Sequence, residues 1–159
     1  VIAANTSFRL APWADSLFAM DGAWWKIHAA EVRRDFRGEC LGYGGDCVPH
    51  GARSMRSVRR DWSAFGNSGA GAIAVAALSG ATRVLLLGYD CRHAADGRRH
   101  WHGDHPPGTA GNAAPQTVAK WPAQFRKLRE AFPRLEIINC TRETALDAFP
   151  RAKLEDCIA

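Results

Sequence analysis

Phe65-Gly-Asn-Ser-Gly-Ala-Gly71 runs into Ala72-Ile-Ala-Val-Ala-Ala-Leu-Ser-Gly80 and then into Ala81-Thr-Arg-Val-Leu-Leu-Leu-Gly-Tyr-Asp90. Read in order, this is a glycine turn, a helix of small residues and a buried strand, the sequence of elements expected in an α/β fold. Asn67 or Ser68 can cap the helix, and Gly69 lets a ligand approach the backbone. The uncompensated N–H groups and the helix dipole at that turn favour an anion. Val84 to Leu87 is an unbroken apolar run, which predicts a strand buried on both faces of a parallel sheet. Gly88 and Asp90 stand at its carboxyl end, where open α/β sheets take their ligands. The glycines match neither the dinucleotide-binding G-x-G-x-x-G pattern nor a P-loop, because no Lys-Ser or Lys-Thr follows them. A tight contact between helix and sheet would need the same small residues without any ligand, so both readings stand at this stage.

Upstream, Val1-Ile-Ala-Ala4 reads as a short buried strand that enters a turn at Asn5-Thr-Ser7. The abrupt start suggests a fold whose first strand lies elsewhere. Asp15 to Met20 reads as a second strand, and Asp21 suits the N-cap of a helix from Gly22 to about Val32, with Trp24, Ile27 and His28 on one face. Residues 36–61 are broken by six glycines and prolines between Gly38 and Gly51, so loops are expected there, with one edge strand near Glu39 to Tyr43.

Downstream, residues 91–115 form a histidine-rich loop. His93, Asp96, Arg98, Arg99, His100, Trp101, His102, Asp104, His105 and Asn112 crowd it, and Pro106, Pro107, Gly108 and Gly111 exclude regular structure. Histidine titrates near neutrality, so His102 and His105 are candidates for a general base or acid beside a phosphate site. Zinc on these histidines with Asp104 is the metal reading, but no second ligand cluster accompanies them, and no metal site is assigned. A plain surface loop is the simplest alternative. Beyond it, Val118, Trp121, Phe125, Leu128 and Phe132 recur at helical spacing, with Pro122 acceptable only near the start of the helix proper. Arg134 to Asn139 predicts a further strand. Cys140 to Leu146 predicts a turn and short helix capped by Thr141, and the tail from Phe149 to Ile158 a closing strand or a helical turn.

A chain of 159 residues that is 47% apolar suffices for a single domain, 1–159, and holds no apolar run long enough for a membrane span or signal peptide. A cytoplasmic protein with no membrane partner is expected. Five scattered cysteines without a C-x-x-C pair read as reduced thiols. The net charge of +5 is densest at Arg53, Arg56, Arg59 and Arg60. That run is either a solvated face or a basic rim that attracts a phosphate, a nucleotide or nucleic acid.

The series Ala-Ala-Asn5-Thr-Ser-Phe, Trp-Ala-Asp-Ser-Leu-Phe-Ala-Met-Asp21, Asn67-Ser-Gly69 with its alanine helix, Leu-Leu-Leu-Gly-Tyr-Asp90, the histidine loop and Ile-Ile-Asn-Cys-Thr141 resembles phage-encoded proteins of unknown function. It is more distantly similar to bacterial sialyltransferases that use CMP-sialic acid. The resemblance implies a Rossmann-like, mostly parallel sheet flanked by helices, here beginning after the family's first strand and glycine-proline-serine turn. It further implies that Asn5, Ser68 and Gly69 hold a nucleotide-sugar donor and that His102 or His105 acts as base, with no cofactor required. Asn67 and Asp90 border the same expected site. Two other classes stay open: a non-catalytic phage accessory module that holds nucleic acid through its basic surface, and a metal hydrolase built on the histidine loop.

Overall fold

The computed structural model describes residues 1–58, 63–94, 96–109 and 111–158. It is a mixed α/β structure that divides into two units, Val1–Ala72 with His105–Gly111, and Ile73–Asp104 with Asn112–Ala159. No helix among the described residues is long and apolar enough to cross a membrane.

The first unit is built on a four-stranded parallel sheet in sequential order, β1 (Ile2–Ala4), β2 (Ser16–Ala19), β3 (Glu39–Gly42) and β4 (Arg53–Ser54). Helix α1 (Gly22–Asp35) joins β2 to β3. Short 3₁₀ turns at Asn5–Arg9 and Gly45–His50 make the other two crossovers. Helix α2 (Met55–Val58) follows β4, and helix α3 (Ser68–Leu78) begins in this unit. Register runs Ile2 to Ser16, Ser16 to Glu39 and Leu41 to Arg53. Strand β3 is therefore interior, with partners on both sides, where the sequence suggested an edge strand. The two-residue β4, hidden in a glycine-broken stretch, takes the place beyond it.

Strand β2 carries the densest burial, since Leu17, Phe18 and Ala19 have no exposed surface. Leu17 and Ala19 share a cluster with Trp24, Trp25 and Val32 of α1 and with Phe8 and Phe36. Phe8 meets the edges of Trp24 and Phe36 at ring separations of 6.2 and 6.4 Å. Each such ring withdrawn from water contributes roughly 1.5–3 kcal/mol, which lets a small sheet hold together. The face of α1 that is buried contains Trp24, Trp25, His28, Ala29 and Val32, whereas Ile27 lies at its exposed margin. The helical face expected from the sequence is thus rotated toward Trp25, whose indole N–H donates to the Ala19 carbonyl at 3.0 Å.

The second unit holds a two-stranded parallel sheet, β5 (Arg83–Leu86) with β6 (Glu136–Asn139). Between them in sequence come α4 (Pro115–Val118) and α5 (Trp121–Ala131), with Pro122 in the first turn of α5 where a missing N–H costs nothing. Phe125 and Leu128 of α5 are buried, and Phe125 sits edge-on to Tyr89 and Phe149. Strand β5 is not buried on both faces as its apolar run suggested. Only Leu86 is fully covered, and Leu87 just beyond it is exposed. The tail supplies both of the forms read from sequence, a parallel bridge from Arg151 to Asn139 and a short helix, α6 (Leu154–Ile158).

Gly71 in α3 is a packing requirement. A Cβ built there would overlap the ring of Phe18 and lie 3.3 Å from the Ala64 methyl. In an open helix Gly→Ala stabilises by about 0.5–1 kcal/mol, but overpacking against a fully buried ring costs about 1–3 kcal/mol. Gly71→Ala is expected to lower the midpoint of urea unfolding, whereas Gly45→Ala, with nothing within 4 Å, leaves it nearly unchanged. A stabilised Gly71→Ala protein would show that Phe18 has room to move.

Candidate functional site

Because all four strands of the first sheet run in parallel, the residues that follow them emerge at one edge. These are Asn5 after β1, Met20 and Asp21 after β2, and Tyr43 to Asp46 after β3. Asn5 is held at φ 49°, a left-handed conformation that costs most side chains energy and that asparagine tolerates better than any other non-glycine residue.

The amino end of α3 is tied to this edge. Asn67 caps the helix by accepting the Ala70 N–H at 2.8 Å. Ser68 is buried, and its hydroxyl accepts the Met20 N–H at 3.1 Å, which fixes the helix start to the end of β2. Of the two caps considered from sequence, Asn67 is the cap and Ser68 is the tether. Gly69 lies in the first turn beside them.

The amino end of α1 is organised by acids. Asp21 occupies the N-cap position but makes no side-chain capping bond. The carboxylate of Asp46 instead lies directly against Gly22, in space that any larger residue would need, and 3.1 Å from where a Cβ at Gly44 would stand. A negative group at a helix amino end is stabilised by the dipole, so Asp46 fills the position an anionic ligand would otherwise take. Burial pushes the half-buried Asp21 carboxyl above its ordinary range, the Asp46 charge pushes the same way, and His105 pulls it back. His105 thus belongs electrostatically with Asp21. The segment that carries it reaches α1 at Gly108, whose Cα faces the Ile27 side chain.

Asp90 and His102 belong to the second unit. Asp90 follows the carboxyl end of β5, and its backbone carbonyl accepts the Ala145 N–H at 2.8 Å. Burial pushes its carboxyl up, against the pull of Arg92. The neighbouring Cys91 has φ 50° and a thiol pushed up to about 12 by burial and the Asp90 charge, so it stays protonated at neutral pH. Thr141 and Thr144, expected in a short helix, serve this turn instead: Thr141 Oγ1 accepts the Tyr89 N–H at 2.9 Å and Thr144 Oγ1 donates to the Tyr89 carbonyl at 2.6 Å. Hydroxyls that can satisfy a neighbouring strand end compete with the helix, and here the strand end wins. His102 stacks on His100, with ring centres 5.1 Å apart and planes 6° from parallel. A cavity of about 630 Å³ also lies in this unit, lined by Arg126, Arg129, Phe132, Ile137, Phe149 and Pro150, and contains none of the residues expected at a site.

Of the basic run, Arg53 pairs with Glu39 and Arg56 lies over the Tyr43 ring at 5.7 Å, while Arg59 and Arg60 fall outside the described residues. The carboxylates of Asp21 and Asp46 are the site features that sequence reading missed. Asp21 was explained by its capping position, and Gly42-Tyr-Gly-Gly-Asp46, a glycine turn directly after a strand, was the available signal for Asp46. Comparison with protein-family models, curated proteins and solved structures finds no match to the chain.

Asp21 holds its proton more tightly in the folded protein than in the unfolded chain. The folded state therefore binds more protons between the unfolded and folded pKa values, and stability falls as pH rises through that window. Asp21→Asn is expected to raise the thermal midpoint at pH 7, with the gain vanishing near about pH 3, where the acid is protonated in both states. An unchanged or lowered midpoint at pH 7 would mean that the charge is not held at a cost.

Proposed function

We propose that the first unit is a Rossmann-like site for a nucleotide or nucleotide sugar, of the glycosyltransferase type. The observation that carries this reading is the shared carboxyl edge of the parallel strands, with Asn5, Asp21 and the capped start of α3 all on it. Open parallel sheets take nucleotides at that edge. The likeness of the short motifs to sialyltransferases supports the same assignment.

In this reading the donor phosphate lies at the amino end of α3, near Gly69, because Asp46 already neutralises the amino end of α1. Asn5 and Asp21 accept and donate hydrogen bonds to the nucleoside, and a carboxylate beside a ribose is a suitable acceptor for its hydroxyls. His105 takes the proton from the acceptor hydroxyl as that oxygen attacks the sugar carbon and the nucleotide leaves. His105 is preferred to His102 because it acts on Asp21 within the unit that carries the donor residues. Asp21 then offsets the charge that His105 gains, the role an acid plays beside a catalytic imidazole. The scheme uses no metal ion.

A thermal-shift series with cytidine and uridine nucleotides and their sugar derivatives tests the assignment. A ligand present at about 100 times its Kd stabilises by about 2.7 kcal/mol. Asn5→Gly keeps the left-handed backbone while removing the side chain, so it is expected to lose most of that stabilisation without lowering the stability of the free protein by more than about 1 kcal/mol. The ligand-induced shift should survive added salt, whereas binding through nucleic-acid phosphates would weaken steeply. If no nucleotide raises the midpoint, the assignment is lost.

A further inference from the structure

Cys140 and Cys157 belong to the second unit. Cys140 directly follows β6, is buried, and its backbone N–H is fixed by the Leu86 carbonyl at 2.9 Å. Cys157 lies on α6 and is half-buried. The Cys140 thiol points at the Cys157 sulfur with the two atoms 3.9 Å apart.

Contacts beside the pair hold the tail in that position. The Arg83 guanidinium donates to the Cys157 carbonyl at 3.1 Å and pairs with Glu136 at 3.2 Å. Asn139 donates its backbone N–H to the Pro150 carbonyl at 2.8 Å, and the Arg151 guanidinium donates to the Arg142 carbonyl at 2.9 Å. A disulfide needs its sulfurs at about 2.05 Å, so closure requires an approach of about 2 Å. That movement falls to the half-buried Cys157, carried on the short helix α6.

We propose that Cys140 and Cys157 are a thiol–disulfide site, oxidised by small disulfides of the glutathione type, that locks the tail onto β6. This assignment is independent of the nucleotide reading. The Cys157 thiolate, which the Cys140 S–H group faces, attacks one sulfur of the small disulfide and releases one thiolate. Cys140 then loses its proton and attacks the Cys157 sulfur of the mixed disulfide, releasing the second thiolate. Two protein thiols and one small disulfide become one protein disulfide and two small thiols. The order follows from access, since Cys157 meets solvent and Cys140 does not. Burial and the neighbouring Cys157 push the Cys140 thiol up, which suits the resolving partner better than the attacking one. The bond would close the loop from Thr141 to Asp156, which contains the threonines that hold the Tyr89 turn.

The test treats the full chain with oxidised glutathione and maps disulfides by mass spectrometry after proteolysis without reduction. The expected product is a Cys140–Cys157 linked peptide pair, a protein lighter by two hydrogens, and a thermal midpoint raised by about 5 °C or more, all reversed by dithiothreitol. Cys140→Ser should stop at a glutathione adduct on Cys157, with no linked pair and no rise. If that buried substitution fails to fold, Cys157→Ser at the half-exposed position serves instead, and should form no link. The proposal is overturned if the oxidant-treated wild-type chain, once unfolded without reduction, still has all five thiols open to alkylation, retains a stable glutathione adduct on Cys157, or links other cysteines.

Discussion

Strand β2 leaves its sheet with a backbone N–H at Met20 that needs a partner, and the Ser68 hydroxyl provides it at 3.1 Å. A fully buried donor without a partner would cost on the order of 1–3 kcal/mol, and this half-buried one forfeits part of that, so the bond favours α3 beginning where it does. Once α3 begins there, Gly71 comes against the Phe18 ring and only a glycine fits. Asn67 then stands at the cap and Gly69 in the first turn. The geometry of the candidate site therefore follows from satisfying one amide at the end of the most buried strand.

The charges on this edge divide the work between two helix ends. Asp46 sets a carboxylate against the amino end of α1 from within the protein, whereas the amino end of α3 carries the proposed anion position. Asp21 is kept half-buried between a like charge and a histidine, where its ionised form is disfavoured by burial. A carboxyl group retained in such surroundings is a feature more common at functional sites than at structural ones. The acid and histidine are thus more informative about chemistry than the glycine turn, whose residues also have structural duties.

The parallel α/β architecture was legible because it rests on periodicity and breakers. The positions of β1, β2, α1, α5 and β6 follow from apolar runs, from Asp21 at the start of α1 and from Pro122 at the start of α5. What could not be read depended on partners distant in sequence. Strand β4 has two residues and exists only because β3 lies beside it. Leu87 is exposed despite belonging to an apolar run, since the run says nothing of which neighbours cover it. Thr141 and Thr144 were assigned to a helix because their tie to Tyr89 reaches back 52 and 55 residues, to a turn that local spacing does not reveal. At the site, Asn67 at its cap was legible from local chemistry, whereas the exclusion of larger residues at Gly22 by Asp46 was not.

The sequential order of the first sheet bears on how the chain reaches this structure. Ile2 pairs with Ser16, Ser16 with Glu39 and Leu41 with Arg53, so each strand finds its partner in the segment just made. Two of the crossovers are only short 3₁₀ turns. Parallel sheets are ordinarily slow to form because distant segments must meet before any contact rewards the closure. Here the loops to be closed are short, and their entropic cost grows only with the logarithm of length. Sequential pairing of this kind lets the sheet zip strand by strand, and the carboxyl edge needs only residues 1–54 to form, none of them from the later segment that bears His105.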